Sequence, residues 1–199
     1  MVKNIVFDMG GVLIHFTPDV WLAPYLEEDR TILRRAIFAS ADWLRLDRGE
    51  ITEEELIGRV TAEVPERLRE DAVRLVRWYD LLEPMDGMDS LIRELHAAGY
   101  TIRLLSNTSK SFHQFREQIP ALRYFSGEFI SADVGILKPD SRIYALFLAQ
   151  FGLNPEECLF IDDNPENVNA AIAAGMQGLV FNGAADLREK LGETGILPG

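Results

Sequence analysis

Short apolar segments alternate with longer amphipathic stretches along most of this chain. Apolar runs of about four to eight residues, separated by helix-like stretches, are typical of buried parallel strands. On this pattern we predict strands at residues 4–7, 100–105, 128–131, 158–161 and 177–181. The stretches between them predict helices over residues 87–98, from near 109, and over 140–151, 164–174 and 186–191.

The repeated strand–helix order predicts an α/β fold, in which a doubly wound, Rossmann-like parallel sheet is joined by right-handed crossovers. Residues 17–84 interrupt this order, because apolar residues there recur only at helical spacing. Thr52 and Glu55 form a capping-box pair at the start of one of these helices. We therefore predict an α/β core from residues 1–16 and 85–199 and an inserted helical cap domain from residues 17–84.

The composition, with 47% apolar residues and a formal net charge of −12, is that of an acidic globular protein. This charge disfavours nucleic acid and anionic membranes as partners, because neither would be attracted electrostatically. The single cysteine, Cys158, lies in a predicted strand and is best interpreted as a buried thiol. No apolar run approaches the roughly 20 residues that span a bilayer, and the N-terminus lacks a signal-peptide pattern. We expect a cytoplasmic protein.

Polar side chains follow three of the predicted strands at the point where each strand ends. Asp8 follows the first strand, Ser106-Asn107 the second and Asp162-Asp163 the fourth, and Lys138-Pro139 lies between the last two. The carboxyl ends of parallel strands share one edge of a sheet, where ligands bind. Two adjacent carboxylates after a buried strand repel one another, which favours a bound cation there. Helix N-capping is the alternative interpretation of the same acidic pair.

Four segments at these positions resemble the four sequence motifs of the haloacid dehalogenase superfamily. They are Phe7-Asp8-Met9-Gly10-Gly11-Val12-Leu13, Leu105-Ser106-Asn107, Lys138-Pro139-Asp140 and Phe160-Ile161-Asp162-Asp163-Asn164. Each motif is weak alone, but the ordered set is specific and covers essentially the whole chain. The helical insert is similar to the small cap of the phosphatase-rich branch. The Asp-x-Gly-x-Val form of the first motif resembles bacterial sugar-phosphate phosphatases of the glucose-1-phosphate type.

The resemblance implies a nucleophile and a metal site. Asp8 would attack phosphorus and form an aspartyl-phosphate, which divides one difficult step into two easier ones. Mg²⁺ would offset the negative charge near the attacking carboxylate. Asp8, Asp163 and the backbone carbonyl of Gly10 would hold the ion, while Asp162 would be either a further ligand or a support.

The resemblance also implies a site for the phosphoryl group of a small phosphorylated substrate. Ser106 and Asn107 would donate hydrogen bonds to the phosphoryl oxygens. Lys138 would neutralise charge on Asp8 and on the phosphoryl group as a point cation. Without the resemblance, a serine–asparagine turn and a solvated loop lysine are the ordinary interpretations of these residues.

Gly10 departs from the family pattern. Most phosphatase members have a second aspartate there, which protonates the leaving oxygen and later activates water. General acid–base help of this kind is worth roughly 10² to 10⁴ in rate. Low activity, a substitute group and a different chemistry are the three possible consequences. His15 is the histidine nearest to Asp8 in sequence, although a solvated hinge position is its ordinary interpretation.

Three functions therefore compete on the sequence alone. The first is a Mg²⁺-dependent phosphatase for a small phosphorylated metabolite, with a sugar phosphate as one candidate. The second is a 2-haloacid dehalogenase, which also uses an aspartate nucleophile and needs no leaving-group acid. The third is a catalytically weak protein that binds a ligand or a partner. Trp21, Trp43, Arg45 and Arg48 are candidate cap contacts to the substrate, although a place in the core or on the surface of the cap is the ordinary interpretation for most of them.

Overall fold

The computed structural model describes residues 1–198 and contains one five-stranded sheet with strand order β3-β2-β1-β4-β5. The strands are β1 (Asn4–Phe7), β2 (Thr101–Ser106), β3 (Glu128–Ile130), β4 (Cys158–Asp162) and β5 (Gln177–Val180). Every pairing is parallel. The predicted α/β sheet is therefore confirmed, and each strand lies within one residue of its predicted position.

Helices fill the connections between the strands. Between β1 and β2 lie α1 (Pro18–Leu22), α2 (Glu27–Ala36), α3 (Ala41–Asp47), α4 (Glu53–Glu63), α5 (Arg69–Val76) and α6 (Met88–Ala97). The remaining helices are α7 (Phe112–Phe115), α8 (Ser131–Val134), α9 (Ser141–Phe151), α10 (Pro165–Ala173) and α11 (Ala184–Glu193). Short 3₁₀ turns occupy Glu66–Leu68, Trp78–Leu81, Arg116–Gln118, Pro120–Tyr124 and Pro155–Glu157.

The predicted helix from near residue 109 is the largest departure from expectation. Only the four residues Phe112–Phe115 are α-helical, and two 3₁₀ turns follow. Pro120 lacks an N–H and disfavours helical backbone at Ile119, whose φ and ψ are −100° and 98°. The helix therefore cannot continue through this point. The four-residue helix α8 after β3 was not predicted.

The sheet is buried on both faces, which explains the nearly continuous apolar runs of its central strands. Ile5 and Phe7 of β1 point into one apolar cluster, which includes residues of α6 and α11. Val6 points into the opposite cluster, with residues of α9 and α10. All three side chains are fully buried. Removal of this much apolar surface from water is the main force that holds the strands in register.

Helices α1 to α5 share an apolar cluster of their own. Its buried members include Leu22, Leu33, Leu56, Val60 and Leu75. The chain enters and leaves this helical block at one place, because the backbone N–H of His15 donates to Glu83 and that of Met85 donates to Leu13. The predicted capping box at the start of α4 is also present. None of the helices within residues 1–198 is long and apolar enough to cross a membrane.

Candidate active site

The register of the sheet brings the predicted acidic residues to one edge. Phe7 lies opposite Ile161 on β4 and Leu104 on β2. Asp8 and Asp162 therefore occupy the next position on neighbouring strands. Carboxylate oxygens of Asp8, Asp162 and Asp163 lie within 4.8 Å of one another, which is close enough to hold one metal ion.

Lys138 connects the two buried aspartates. Its Nζ lies 2.6 Å from Oδ2 of Asp162 and 2.8 Å from Oδ1 of Asp8. It also donates a hydrogen bond to the backbone carbonyl of Leu105, at 3.0 Å. Only 1% of the side chain is exposed. A lysine is almost never buried in this way unless it is paired, so this ammonium belongs to the site rather than to a solvated loop.

Asp162 is fully buried, and both of its carboxylate oxygens are already in use. The backbone N–H of Asn164 and the side-chain amide of Asn167 donate to Oδ1, at 2.8 and 3.1 Å. Lys138 and the same amide donate to Oδ2, at 2.6 and 3.0 Å. These bonds fix the orientation of Lys138. Sequence reasoning missed Asn167, whose place in the first turns of α10 was the available signal.

Asp8, unlike Asp162, has a carboxylate oxygen without a hydrogen-bond partner among residues 1–198. Its buried Oδ1 receives no hydrogen bond among the described residues, since the contact with Lys138 has the distance of an ion pair without the angles of a hydrogen bond. Burial raises the pKa of Asp8 to about 6, although Lys138 opposes the shift and Asp162 adds to it. The pKa of Asp163 is also raised, mainly by burial and then by the charge of Asp162.

The charge of the cluster fits a divalent cation. Three carboxylates and one ammonium leave two negative charges in a largely buried space when all are ionised. Mg²⁺ prefers carboxylate and carbonyl oxygens and is commonly held by one or two carboxylates. Asp8 and Asp163 have oxygens free for it, and Gly10 also lines the space beside them. The residues therefore fit the ion that the sequence predicts.

Gly11 gives Asp163 its room. The backbone of Gly11 has a φ of +76°, and a Cβ there would overlap the carboxylate of Asp163. At Gly10 an added Cβ would meet only the side chain of Phe16, at 3.4 Å. Gly10 therefore leaves room for a side chain. Gly11 must be glycine, because its φ is positive and because a side chain there would overlap Asp163.

The segment after β2 forms a second wall of the site. Ser106 is buried at the end of the strand, and Asn107, Thr108 and Ser109 line the adjacent cavity. The side-chain amide of Asn107 exchanges two hydrogen bonds with the backbone of Lys138, at 2.8 and 3.0 Å. The predicted phosphate ligand Asn107 thus uses its side chain to hold the lysine loop. Its backbone N–H remains a candidate donor to a phosphoryl group.

A cavity of about 290 Å³ lies between this polar edge and the helical block. Its apolar wall consists of Phe16, Trp43, Leu46, Val76, Trp78 and Tyr79. Phe16 is the centre of an aromatic cluster, with ring centroids 5.2 Å from Trp21 and from Trp78. Of the four candidate cap contacts, only Trp43 is part of the cavity wall within residues 1–198. Arg45 instead forms ion pairs with Asp42 and Glu50 at the surface. Lys138 is the only lysine or arginine in the described wall.

Two acidic side chains of the helical block also line the cavity. Glu53 is buried and accepts hydrogen bonds from Ser111 and Tyr79, at 2.7 and 2.9 Å. Asp47 is half-buried, and no hydrogen bond to its carboxyl occurs among residues 1–198. Burial raises the pKa of Asp47 to about 7, and the charge of Asp8 adds to the shift. Sequence reasoning missed both residues and named His15, which is not part of this wall.

Comparison with known proteins is consistent with this geometry. Residues 2–175 match the family of haloacid dehalogenase-like hydrolases. The chain is 34% identical to the sesquiterpene phosphatase astK of Aspergillus oryzae, over 89% of this chain and 88% of that protein. It is 32% identical to flavin mononucleotide hydrolase 1 of Arabidopsis thaliana, over 77% of this chain and 62% of that protein.

A solved structure shares the fold. The haloacid dehalogenase family enzyme bt-2542 of Bacteroides thetaiotaomicron, in a magnesium complex, superposes with a TM-score of 0.75. The alignment covers 96% of this chain and 98% of that one, at 22% sequence identity. At this identity the likeness supports the fold alone.

Proposed function

The chain belongs to the haloacid dehalogenase-like hydrolases, and we propose that it is a Mg²⁺-dependent phosphatase acting through an aspartyl-phosphate on Asp8. The observation that carries the proposal is the placement of Asp8 and Asp163 within one metal-sized cluster beside the buried ammonium of Lys138. Of two relatives that are at least 30% identical, one is named a sesquiterpene phosphatase and the other a flavin mononucleotide hydrolase, which supports the same reaction class.

Asp8 supplies the nucleophile in this proposal. One carboxylate oxygen attacks phosphorus, the bond to the ester oxygen breaks, and the phosphoryl group passes to Asp8. Water then attacks the phosphorus of the aspartyl-phosphate, which releases inorganic phosphate and restores the carboxylate. Lys138 stabilises the negative charge of both steps, and Asp162 holds its ammonium in place through a 2.6 Å contact.

The metal would rest on Asp8, Asp163 and the carbonyl of Gly10. When bound, Mg²⁺ would reduce the repulsion between the carboxylate and the phosphoryl oxygens. We assign Asp162 to the support of Lys138 rather than to the metal, because four hydrogen bonds occupy its oxygens. The backbone N–H of Asn107 and the hydroxyls of Thr108 and Ser109, all residues of the cavity wall, would donate to the phosphoryl oxygens.

We propose that the substrate is a small phosphate monoester whose alcohol presents an apolar or aromatic face. Trp43, Trp78 and Tyr79 line the same cavity as the acidic cluster. A sesquiterpene and a flavin, named for the two relatives, both have such faces. A sugar phosphate remains a candidate, because a sugar ring also stacks on aromatic side chains. A substrate with a second anionic group is less suitable, since the described wall offers no cation besides Lys138.

The same observation argues against a 2-haloacid dehalogenase. Its substrate carries a carboxylate, which would have to lie beside Asp8 and Asp163 without a second cationic side chain in the described wall. The single ammonium is already shared by two carboxylates. The acidic cluster therefore suits a cation and a phosphoryl group better than it suits a haloacid.

The direct test is product release from three classes of substrate, with Mg²⁺ and with EDTA. We expect phosphate from geranyl phosphate, flavin mononucleotide or a sugar phosphate, only with Mg²⁺, and no halide from 2-chloropropionate. Halide release without metal would establish the dehalogenase. Release of neither product, from a folded protein across a broad panel, would favour a binding protein. We keep a cytoplasmic location as a prediction.

A further inference from the structure

One carboxyl of the helical block lines the cavity of the proposed reaction and has no hydrogen-bond partner among residues 1–198. Asp47 lines the same cavity as Asp8 and Gly10. No hydrogen bond or ion pair engages its carboxyl among the described residues, whereas Glu53 of the same cavity wall is held by Ser111, Tyr79 and Arg77. A polar group that lines a site and has no structural role is available for chemistry.

The backbone around Asp47 is fixed to the core. The hydroxyl of Ser131 donates to the carbonyl of Asp47 at 2.6 Å and accepts the backbone N–H of Thr108 at 3.0 Å. Gly49 lies so close to the carbonyl of Ala132 that a Cβ there would overlap it. The position of Asp47 over the sheet edge is therefore set by contacts with the segments after β2 and β3, rather than by a free loop.

The local environment favours the protonated carboxyl. Asp47 is the last residue of α3, where the helix dipole disfavours a negative charge. Burial and the nearby charge of Asp8 act in the same direction and hold the pKa of Asp47 near 7. The other charged or titratable groups of the cavity wall are Asp8, Glu53, Tyr79, Lys138 and Asp163. Lys138 opposes protonation, as would Mg²⁺ when it is bound to Asp8 and Asp163.

We propose that Asp47 is the general acid and base that replaces the aspartate missing at Gly10. This inference rests on the proposed phosphatase function. In the first step Asp8 attacks phosphorus, the phosphorus–ester oxygen bond breaks, and the proton of Asp47 passes to the leaving oxygen to give the alcohol. In the second step the Asp47 carboxylate takes a proton from water, whose oxygen attacks the aspartyl-phosphate. Phosphate leaves, Asp8 is a carboxylate again, and Asp47 is protonated again.

This assignment predicts an effect that depends on the leaving group. An alkyl ester needs its leaving oxygen protonated, whereas a nitrophenyl ester scarcely does. Asp47→Asn should therefore lower single-turnover alcohol release from an alkyl phosphate by about 10² or more. Release of nitrophenol in the first turnover should change less than about threefold. Later turnovers should be slow for both, because water activation is lost as well.

The test is rapid-quench kinetics with Mg²⁺ on the wild type, Asp47→Asn and the control Asp80→Asn, an exposed aspartate of the same helical block. We expect Asp47→Asn to give a burst of one nitrophenol per enzyme and to accumulate phosphorylated protein. The control should match the wild type. Wild-type steady-state rates in Asp47→Asn, for both esters, would overturn the proposal. Equal losses in the first turnover of both esters would assign Asp47 to substrate positioning and would also overturn it.

Two controls separate the role of Asp47 from an inactive wild type and from a destabilised variant. If the wild type releases no phosphate from either ester, the result contradicts the proposed phosphatase function itself. It is thereby distinguished from a failure of the Asp47 assignment alone, in which the wild type is active. If Asp47→Asn unfolds at a lower temperature than the wild type, Asp47→Glu provides the second variant. A glutamate keeps the acid, so alkyl-ester turnover well above that of Asp47→Asn is expected. Equal alkyl-ester rates in the two variants would contradict the assignment.

Discussion

The ammonium of Lys138 lies 2.8 Å from the carboxylate of Asp8, and only 1% of the lysine side chain and 12% of the aspartate side chain are exposed. The lysine also contacts Asp162, so one cation balances two buried carboxylates. Removal of one partner from a buried charge pair leaves an uncompensated charge, which is far more unfavourable than loss of a surface ion pair. The lysine should therefore matter for stability as well as for catalysis.

Lys138→Met should lower the free energy of unfolding by about 3 kcal/mol at pH 8. The loss should be smaller at pH 5, because protonation of Asp8 removes one of the two charges left unpaired. Lys110→Met, which changes an exposed lysine of the neighbouring loop, should have little effect at either pH. Urea unfolding, followed by circular dichroism, measures the free energy of unfolding of both variants at pH 5 and pH 8. A loss below about 0.5 kcal/mol at both pH values would mean that the pair is solvated.

The metal-free protein should become less stable as the pH rises from about 4 to about 7. The pKa values of Asp8 and Asp47 are raised in the folded state, to about 6 and about 7. The unfolded chain therefore loses these protons first, and the stabilisation present at low pH disappears as the pH passes the folded values. Thermal unfolding in EDTA should show a lower midpoint at pH 8 than at pH 5.

Mg²⁺ should reverse this trend, because the ligands must be ionised to bind it. The increase in unfolding temperature on adding Mg²⁺ should be larger at pH 8 than at pH 5, and Asp8→Asn should remove most of it. Asp133→Asn, which alters a half-exposed aspartate of α8, serves as the control. An equal Mg²⁺ effect in Asp8→Asn would place the ion elsewhere.

Trp43→Ala should reduce selectivity for apolar esters. The indole forms part of the cavity wall, whereas Trp21 of the same aromatic cluster lies outside that wall. We expect kcat/KM for geranyl phosphate to fall on the order of 10-fold relative to glycerol phosphate, since an aromatic contact of this kind is worth roughly 1 kcal/mol or more. Trp21→Ala should leave the ratio unchanged. Parallel losses for both esters in Trp43→Ala would mean that the indole holds the cap together instead.

Gly10→Asp tests whether a carboxyl at residue 10 of the first motif can act as the general acid. A Cβ there is tolerated at 3.4 Å from Phe16. In the wild type we expect little gain or a loss, because Asp47 already supplies the proton and a further carboxylate would crowd Asp8. In the Asp47→Asn background the same change should restore turnover of an alkyl phosphate by about 10-fold or more. A gain in the wild type as large as in the double variant would mean that the acid is absent, not replaced.

The sheet edge was predictable from sequence because parallel strands bring their ends together whatever lies between them. Asp8 and Asp163 follow from that rule and from their motifs, and Lys138 follows from its motif alone. Asp47 does not, since its place over the site depends on how α3 meets Ser131 and Ala132, about 80 residues away in sequence. No local pattern encodes that contact. His15 was the nearest candidate along the chain, but the cavity wall is assembled from distant segments.

The helix that ends before Ile119 is a second feature that the local sequence pattern did not predict. The sequence predicts a helix from near residue 109, whereas the structure has four α-helical residues and two 3₁₀ turns, because Pro120 disfavours helical backbone at the residue before it. In the same way the residue type at position 107 predicts a phosphate contact, but it does not predict the two hydrogen bonds that the side-chain amide of Asn107 exchanges with the backbone of Lys138. Residue type at a strand end indicated the site. The partner of each side chain required the packed structure.

The most direct measurement for the central claim is the mass of the peptide that contains Asp8 after acid quench during turnover of a nitrophenyl phosphate. With Mg²⁺ we expect one added phosphoryl group on Asp8, increased by Asp47→Asn and absent in EDTA. Asp8→Asn should carry none and should release no phosphate. A phosphoryl group on another residue, or phosphate release by Asp8→Asn at more than a few per cent of the wild-type rate without deamidation, would contradict the account.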